Sequence, residues 1–350
     1  MLVNVVANLK LAADITSRQW YAREVEALEA LDIETTLTPR LRLWPIPDIY
    51  VSWWVARSAP AVFWARITGS KCIVVAGGTD SVLAADLKGH PLFYDSKPVW
   101  VRLLTRLALR FASAVVAVSQ ATTRDLEALG ARRVVVIPNS IDVNIFRPVE
   151  GQRQPVIVTV CNMDRAACDL KGLPDILRAF ASVQKIHPAY TLRVIGAHAS
   201  GYGAMLNLAR ELGIESSVDF CGSVPNQDMG AHYAGASLFV SATRYETFGV
   251  AIAEAMSCGL PVVATDLPAI REVAGDAAVL VAGNMPEDYA GAMLRILEDS
   301  SLAEHLSQTG RARICTHFHP DQRVGQMGAL LSSVLGQTQW DRQPAFRKGN

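Results

Sequence analysis

Short runs of β-branched and apolar residues alternate with longer segments of helical period along the chain, and this alternation limits the fold more than any other feature. In the first half, candidate strands lie between residues 3 and 137, and candidate helices cover 17–30, 96–112 and 121–129. The alternation restarts after residue 155 and continues to residue 335. Strands that alternate with helices form parallel sheets covered by helices on both faces. The sequence therefore predicts an α/β protein.

The chain is long for a single hydrophobic core. It has 350 residues, of which 50% are apolar and 19% charged, and this composition is typical of folded globular proteins. Residues 146–155 read FRPVEGQRQP, a polar segment bracketed by prolines that suits a linker. We therefore expect a first domain over 1–150 and a second domain over 151–320. A C-terminal helix is expected over 321–336, followed by a tail over 337–350. Whether this helix packs against the first domain stays open.

Charge and cysteine content argue against several classes of function. Basic and acidic residues number 33 each, so no net field favours a nucleic-acid partner. The six cysteines lack the spacing of a zinc site or a disulfide framework, which fits reduced cytosolic thiols. The N-terminus lacks the pattern of a secretory signal, and no uncharged stretch reaches the roughly 18 residues of a membrane span. We expect a cytoplasmic protein, with a peripheral contact on the inner membrane face left open.

The most informative stretch is 241–265, SATRYETFGVAIAEAMSCGLPVVAT, which reads as strand, loop, helix, turn and strand. In an open α/β sheet, ligands bind beyond the carboxyl ends of the strands, where a helix N-terminus offers free amides and a positive dipole end. Because Gly249 has no Cβ, a ligand can approach the backbone of Phe248, Gly249 and Val250 closely. The sequence therefore predicts a phosphate site at this helix N-terminus.

Two glutamates belong to the same stretch. Glu246 precedes the helix, and Glu254 lies two turns into it, with a long side chain that leans back toward the N-terminus. As an isolated pair they also fit solvated charges on an amphipathic helix. This helix is apolar nearly all round, as buried helices are, and a buried carboxylate needs a partner. We expect both carboxylates to reach one bound molecule, as sugar hydroxyls require.

This stretch resembles the glutamate-x7-glutamate motif of the retaining glycosyltransferases of family 4, the glycosyl transferases group 1. The resemblance extends over EAMSCGLPV (254–262) and LPAIREV (267–273). It implies the GT-B fold, in which two Rossmann-like parallel-sheet domains face each other across a cleft, with the acceptor domain first and the nucleotide-sugar donor domain second. It also implies that Glu246 holds the hydroxyls of the transferred sugar and that Glu254 holds the ribose.

Two further segments carry the resemblance in the second half. DLKGLPDILRAF (169–180) resembles the Lys-Gly motif of the family, and Lys171 with Arg165 suits a diphosphate clamp that stabilises the leaving group. A Lys-Gly pair alone also fits a surface lysine. The segment 194–223 resembles the glycine loop, helix and FxG strand of the family, so the backbone of a three-residue loop is expected to line the base, with a plain loop as the alternative. These residues are Gly222, Ser223 and Val224.

The first half departs from the family pattern. The chain has no glycine before Gly69, whereas the family has a Gly-Gly loop after its first strand, and Asn8, Leu9 and Lys10 stand there instead. VVAGGTD (74–80) places glycine where the family often has histidine, although Asp80 is kept and is expected among the catalytic residues. These departures leave the acceptor side of the site undefined.

The resemblance implies a retaining transfer of a hexosyl unit from a nucleoside-diphosphate sugar to the hydroxyl of a glycan, a lipid-linked sugar or a metabolite. No DxD motif or histidine cluster offers metal ligands, so no metal and no cofactor are expected to be required. Two alternatives stay open. One is a catalytically degenerate protein that only binds a nucleotide-sugar, and the other is a related enzyme such as a sugar-nucleotide epimerase.

One helix of the first half carries an arginine stripe. WVRLLTRLALRF (100–111) places Arg102, Arg106 and Arg110 at spacings of four, beside leucines. The stripe fits a solvated helix face over a core, and it fits attachment to anionic lipid head groups. Tryptophans at 44, 53, 54 and 64 belong to the core or stack on an acceptor sugar. Both pairs of interpretations stay open on sequence alone.

Overall fold

The computed structural model describes residues 1–7, 19–83, 87, 89–149, 151, 153–283 and 285–336. Its contacts divide the chain into two compact units. The first unit consists of Met1–Ser140 together with the C-terminal segment that begins at Pro320. The second unit is continuous in sequence and consists of Ile141–His319.

The first unit is built on a six-stranded parallel sheet with the order β2-β1-β3-β4-β5-β6. Its central strands are mostly apolar and, apart from Lys71, buried along their length, as strands covered on both faces must be. Trp53 lies in this core, whereas Trp44 is exposed. The strands are β1 (Leu2–Val6), β2 (Glu34–Thr38), β3 (Ile49–Trp53), β4 (Lys71–Ala76), β5 (Ala114–Ala117) and β6 (Val134–Val136). The helices that connect them are α1 (Gln19–Glu29), α2 (Ala59–Thr68), α3 (Val99–Phe111) and α4 (Thr123–Ala128).

The second unit repeats the architecture with the strand order β12-β11-β10-β7-β8-β9, again all parallel. The strands are β7 (Val156–Val160), β8 (Thr191–Ile195), β9 (Val218–Gly222), β10 (Leu238–Ser241), β11 (Val262–Thr265) and β12 (Val279–Val281). The helices are α5 (Arg165–Leu170), α6 (Leu173–Ile186), α7 (Tyr202–Glu211), α8 (Asn226–Ala234), α9 (Val250–Ser257), α10 (Pro268–Ala274), α11 (Pro286–Glu298) and α12 (Ser300–His317).

A last helix, α13 (Pro320–Leu335), packs in the first unit. Its apolar face is buried in one cluster with residues of α1, β1 and β3. Arg323 lies in the same interior and makes a 2.5 Å ion pair with Glu24 of α1, and both side chains are almost fully buried. The guanidinium also donates to the carbonyl oxygens of Ile137 (3.2 Å) and Pro138 (2.8 Å). The first unit is therefore completed by residues from the far end of the described chain.

The strand order of the second unit fixes where a ligand site can form. The chain runs from β7 outward through β8 and β9, and then returns beside β7 with β10 and continues outward on the other side. The loops that leave the carboxyl ends of β7 and β10 therefore diverge, and the crevice between them is the usual ligand site of open α/β sheets. Arg165 and Lys171 follow β7, and Glu246 follows β10.

Candidate functional site

Lys171 lies between two helices at the carboxyl end of β7. It is the C-cap of α5, and the next residue, Gly172, has a left-handed φ of 64° and is the N-cap of α6. A Cβ at Gly172 would lie 2.1 Å from the carbonyl oxygen of Ala242 in the loop after β10. Glycine is therefore required here for both its backbone conformation and its lack of a side chain. The result is that the loop carrying Lys171 lies directly against the loop after β10.

The structure brings Lys171 and Glu246 together. The Nζ of Lys171 forms an ion pair with the Oε1 of Glu246, although 75 residues separate them. The side chains are 34% and 17% exposed, so the pair lies at the mouth of the crevice rather than in the interior. An ammonium and a carboxylate in this position offer both a cation for phosphate oxygens and an acceptor for sugar hydroxyls.

Backbone contacts between the two loops hold this pair in place. The amide of Arg244 donates to the carbonyl oxygen of Leu170 (2.7 Å), and the hydroxyl of Thr243 donates to the same oxygen (3.3 Å). The Arg244 guanidinium also forms ion pairs with Asp169 (3.7 Å) and Asp175 (3.4 Å), on either side of Lys171 in sequence. Arg244 is a residue that the sequence motif does not single out, because its partners belong to a different loop.

The helix that follows Glu246 begins as the sequence suggests. Gly249 has a φ of 95° and precedes α9, whose first amides have no partner within the helix. The backbone of Phe248, Gly249 and Val250 lies at this helix N-terminus, while the ring of Phe248 is buried against Phe318 at 5.4 Å. The Phe248 side chain is thus an anchor for the loop, and its backbone remains available for an anion.

Glu254 is buried inside the second unit, on α9. Its side chain is buried, and the hydroxyl of Tyr233 on α8 donates a 3.2 Å hydrogen bond to its Oε2. Burial raises the pKa of Glu254 to about 8, and the Tyr233 hydrogen bond opposes part of this increase. Burial and the nearby carboxylate also raise the pKa of Tyr233. Tyr233 is the partner that a buried carboxylate needs, and nothing in the sequence links it to Glu254.

The loop after β9 lies on the other side of β7. Gly222 ends β9 with a φ of 74°, and its carbonyl oxygen accepts a hydrogen bond from the amide of Gly196 (2.9 Å). Ser223 is exposed and Val224 is half-buried. An imidazole ring borders this loop, since the Nε2 of His198 would lie 3.9 Å from a Cβ at Gly222.

His198 is held by an aromatic neighbour and by the backbone. Its ring stacks on Tyr202 with a centroid distance of 4.1 Å, and its Nε2 lies 3.1 Å from the carbonyl oxygen of Phe220. The sequence motifs do not single out His198 or Tyr202, although an aromatic pair spaced by four residues beside a glycine loop is a recognisable signal. The pair forms a flat apolar border next to Gly222.

Two further residues were predicted for the site, Arg165 and Asp80. Arg165 is exposed at the start of α5, and its amide donates to the hydroxyl of Ser200 (3.3 Å). Asp80 belongs to the first unit, in a short turn over Thr79–Ser81, and its side chain lies outside the described part of the structure. Residues 8–10, which stand where the family has its Gly-Gly loop, and the tail over 337–350 also lie outside it.

Neither a metal site nor a membrane-spanning helix is found among the described residues. In that part of the chain, no three histidine, cysteine, aspartate or glutamate side chains gather in a way that could hold a metal ion. None of the helices described above combines the length and the apolar character needed to cross a bilayer.

Comparison with known protein families supports the resemblance in both halves of the chain. The family described as Glycosyltransferase Family 4 matches residues 34–145, in the first unit. The family described as Glycosyl transferases group 1 matches residues 154–299, in the second unit. The second match includes Lys171, Glu246 and Glu254.

Individual relatives agree with the family matches. A D-inositol 3-phosphate glycosyltransferase of Acidothermus cellulolyticus is 30% identical over 230 residues, which are 60% of this chain and 50% of that protein. An O-antigen chain mannosyltransferase B of Escherichia coli is 37% identical over 99 residues, which are 28% of this chain and 26% of that protein. The chain therefore spans half or less of the length of these relatives.

Solved structures agree in fold. Sucrose-phosphate synthase from Thermosynechococcus elongatus superposes with a TM-score of 0.79 at 20% identity, covering 96% of this chain and 99% of that one. Anabaena HepE, solved in complex with UDP, superposes with a TM-score of 0.73 at 18% identity, covering 95% and 99%. The two six-stranded parallel sheets and these superpositions show the GT-B fold, and the two family matches show that both units are similar to the glycosyltransferases of family 4.

Proposed function

We propose that this chain is a retaining glycosyltransferase that moves a hexosyl unit from a nucleoside-diphosphate sugar to an acceptor hydroxyl. The acceptor belongs to a glycan, a lipid-linked sugar or a small metabolite. The observation that carries the proposal is the Lys171–Glu246 pair beside the N-terminus of α9, where Gly249 has no side chain between a ligand and the backbone. This arrangement offers a cation, free amides and a carboxylate to one ligand.

Each group has a role that fits its position. Lys171 and Arg165 supply positive charge to the diphosphate, together with the amides of Phe248, Gly249 and Val250. Glu246 accepts hydrogen bonds from hydroxyls of the transferred sugar. Glu254 accepts them from the ribose, and the loop over 222–224 borders the base. In this assignment the carboxylates position the donor, and neither forms a covalent intermediate.

The proposed reaction takes place on one face of the sugar. The bond between the anomeric carbon and the diphosphate oxygen breaks, and the acceptor oxygen bonds to the same face of that carbon. The acceptor proton passes to the departing phosphate oxygen, so charge and atoms balance without an added base. Positive charge from Lys171 and Arg165 stabilises the negative charge that develops on the leaving group, without a required metal ion.

The known relatives suggest where to begin the search for the donor. HepE was solved with UDP, and the relatives named above include inositol-phosphate and mannosyl transferases. The expected base contacts are to backbone, which does not fix the nucleotide. We therefore propose testing UDP-, GDP- and ADP-hexoses together, with UDP-glucose and GDP-mannose as the first sugars.

Calorimetric titration of the full chain with these donors tests the proposed site. We expect one nucleotide class to bind, and we expect Lys171→Ala and Glu254→Gln to lose most of the affinity. Matched controls are Lys185→Ala and Glu211→Gln, which change exposed residues of the same unit. Well-folded protein that binds no donor, or variants that bind like the wild type, would contradict the proposed site.

A second experiment tests turnover and stereochemistry. The protein is incubated with the bound donor and a panel of hydroxyl acceptors, and the anomeric configuration of the product is read from its proton NMR coupling constant. Retention gives an α-linked product from an α-linked donor, whereas an inverted product would contradict the proposed single-face reaction.

A nucleotide-sugar-binding protein without turnover is the second candidate. The glycines at 77 and 78, which stand where the family often has histidine, favour it. Its expected behaviour is donor binding that depends on Lys171, with no glycosylated product from any acceptor. An epimerase would instead convert the donor to a second nucleotide-sugar in the absence of an acceptor.

A further inference from the structure

The outer face of α3 begins with large apolar side chains that no other part of the described chain covers. Val99, Trp100 and Leu103 are 73%, 66% and 55% exposed, and they lie on one face of the helix because they are spaced by one, three and four residues. Ile67, in the last turn of the neighbouring helix α2, is exposed as well. Single exposed apolar residues are common, but an apolar cluster on one helix face calls for a partner.

The same face becomes basic toward the C-terminal end of α3. Arg106 and Arg110 are exposed there, and Arg102 lies beside them. Arg66 of α2 stands over the ring of Phe111 at 5.1 Å, which joins the last turn of α2 to the end of α3. Neither α2 nor α3 contains an aspartate or a glutamate. The surface formed by Ile67, Val99, Trp100, Leu103 and these four arginines is called the α3 surface below.

Two arginines of the α3 surface contact an uncharged group, the side chain of Tyr94. Arg106 donates a 3.0 Å hydrogen bond to the hydroxyl of Tyr94, and Arg102 stands over the Tyr94 ring at 5.9 Å. Among the residues that the structure describes, no carboxylate forms an ion pair with Arg66, Arg102, Arg106 or Arg110. The chain as a whole has equal numbers of acidic and basic residues, so this surface is a local concentration of positive charge.

Two partners could cover the exposed apolar side chains of the α3 surface: a second copy of the chain or a lipid bilayer. Charge complementarity distinguishes between them. A symmetric contact between two copies of the chain would place the four arginines opposite four identical arginines with no carboxylate between them. An anionic bilayer offers instead a layer of phosphates for the guanidinium groups and an interfacial region for the tryptophan and the aliphatic side chains.

We propose that the α3 surface binds the surface of an anionic phospholipid bilayer. Trp100, Leu103 and Val99 enter the interfacial region, and Arg106, Arg110 and Arg66 contact lipid phosphates. The helix lies parallel to the membrane and does not cross it. This binding is independent of the proposed transfer reaction, since no residue of the α3 surface belongs to the candidate donor site.

Sedimentation of the full chain with vesicles tests the proposal. We expect binding to vesicles of phosphatidylglycerol and phosphatidylcholine at a molar ratio of about 3:7, weak binding to pure phosphatidylcholine, and release of the protein at high salt because surface charges are screened. Trp100→Ser/Leu103→Ser and Arg106→Glu/Arg110→Glu should each lower the partition coefficient at least about tenfold.

Matched control variants distinguish vesicle binding by the α3 surface from nonspecific binding by other exposed apolar or basic residues. Ile186→Ser/Met285→Ser removes two apolar residues that are equally exposed in the second unit, and Arg124→Glu/Arg132→Glu makes the same charge change elsewhere in the first unit. These variants should bind vesicles like the wild type, and thermal unfolding should show that all four variants are folded.

Three results would overturn the proposal. The first is no binding to the anionic vesicles at low salt, and the second is equal loss in the test and control variants. The third is a dimer of the full chain in light scattering that Trp100→Ser/Leu103→Ser dissociates, since this would assign the α3 surface to a second copy. Donor binding measured by calorimetry should be unchanged in the test variants, so the two proposals fail separately.

Discussion

The hydroxyl of Tyr233 donates a 3.2 Å hydrogen bond to the buried carboxylate of Glu254. A carboxylate in an apolar interior is expensive to ionise, and this hydrogen bond favours the ionised form. Tyr233 therefore acts as a positioning residue for Glu254. Its hydroxyl fixes the orientation of the carboxylate and lowers the free energy needed to ionise it. Two predictions depend on this relationship.

Removal of the Tyr233 hydroxyl should weaken donor binding. In Tyr233→Phe the ring still fills the same space, but Glu254 loses the hydrogen bond that favours ionisation, so its pKa rises further above the ordinary value. A hydrogen bond to a charged group contributes about 1.5–3 kcal/mol, so we expect the Kd of the donor at pH 7 to rise roughly tenfold or more. Raising the pH should recover part of this loss in calorimetric titrations. Equal weakening at every pH would indicate a merely structural role for the hydroxyl.

Stability should fall with rising pH because of Glu254. The pKa of this group is about 8 in the folded chain and near 4.5 when it is unfolded. The stabilisation of the protonated form is therefore complete below about pH 4.5 and is lost as the pH rises through 8. In that range the folded chain binds the extra proton, so the slope is on the order of 1 kcal/mol per pH unit. Urea unfolding at pH 6 to 9 should show the wild type losing stability relative to Glu254→Gln, and parallel curves would contradict the assignment.

Separate tests on the Lys171–Glu246 pair should distinguish sugar contacts from diphosphate contacts. Glu246→Gln frees Lys171 from its ion pair, so the affinity for UDP alone should stay the same or increase if UDP is the donor nucleotide. The same variant should bind the UDP-hexose more weakly and should reduce kcat, because it loses a charged acceptor for the sugar hydroxyls. Lys171→Ala should weaken both ligands. Equal effects of the two variants on UDP would contradict this division of roles.

Gly172 offers a test of the loop contact that places Lys171. Gly172→Ala puts a Cβ against the carbonyl oxygen of Ala242 in a left-handed conformation, so one of the two loops must move. We expect a loss of donor affinity and a stability loss of about 1–3 kcal/mol. The control is Gly203→Ala on α7, where a Cβ meets nothing within 4 Å. It should leave donor binding intact and should be neutral or stabilising by up to about 1 kcal/mol.

The buried Glu24–Arg323 pair should contribute to the folding stability of the first unit. Arg323→Met leaves an uncompensated carboxylate in the interior, and we expect a loss of about 3–5 kcal/mol. Glu24→Leu/Arg323→Met removes both charges and should recover most of that loss. Every tryptophan of the chain lies outside 141–319, so tryptophan fluorescence during urea unfolding reports the first unit selectively. A double variant as unstable as Arg323→Met would show that the guanidinium acts through its backbone contacts instead.

The α/β class and the N-terminus of α9 could be predicted from the sequence because both are local patterns. A strand followed by a polar loop and a glycine before an apolar helix identifies the region around Gly249 without reference to the rest of the chain. The helix α2 was not predicted. Its sequence APAVFWARIT is rich in aromatic and apolar residues without a clear polar face, so its period is weak.

The partners of the candidate site residues could not be predicted in the same way. The motif identifies Lys171 and Glu246 separately, but their contact depends on the adjacency of β7 and β10, which is a property of sheet topology. Tyr233 and Arg244 were missed for the same reason, since each acts on a residue of another element. A buried carboxylate predicts that a partner exists, but only the packing of α8 against α9 identifies it.

The return of α13 to the first unit has a consequence for the order in which the protein is made. The second unit is continuous over 141–319, so it can fold as soon as this segment has left the ribosome. The first unit is synthesised earlier, but its interior lacks Arg323, Val324 and Met327 until the whole second unit has been translated. During synthesis, Glu24 therefore lacks its ion-pair partner Arg323 until the last helix has been made. The part of the chain that emerges first is the last to reach its final structure.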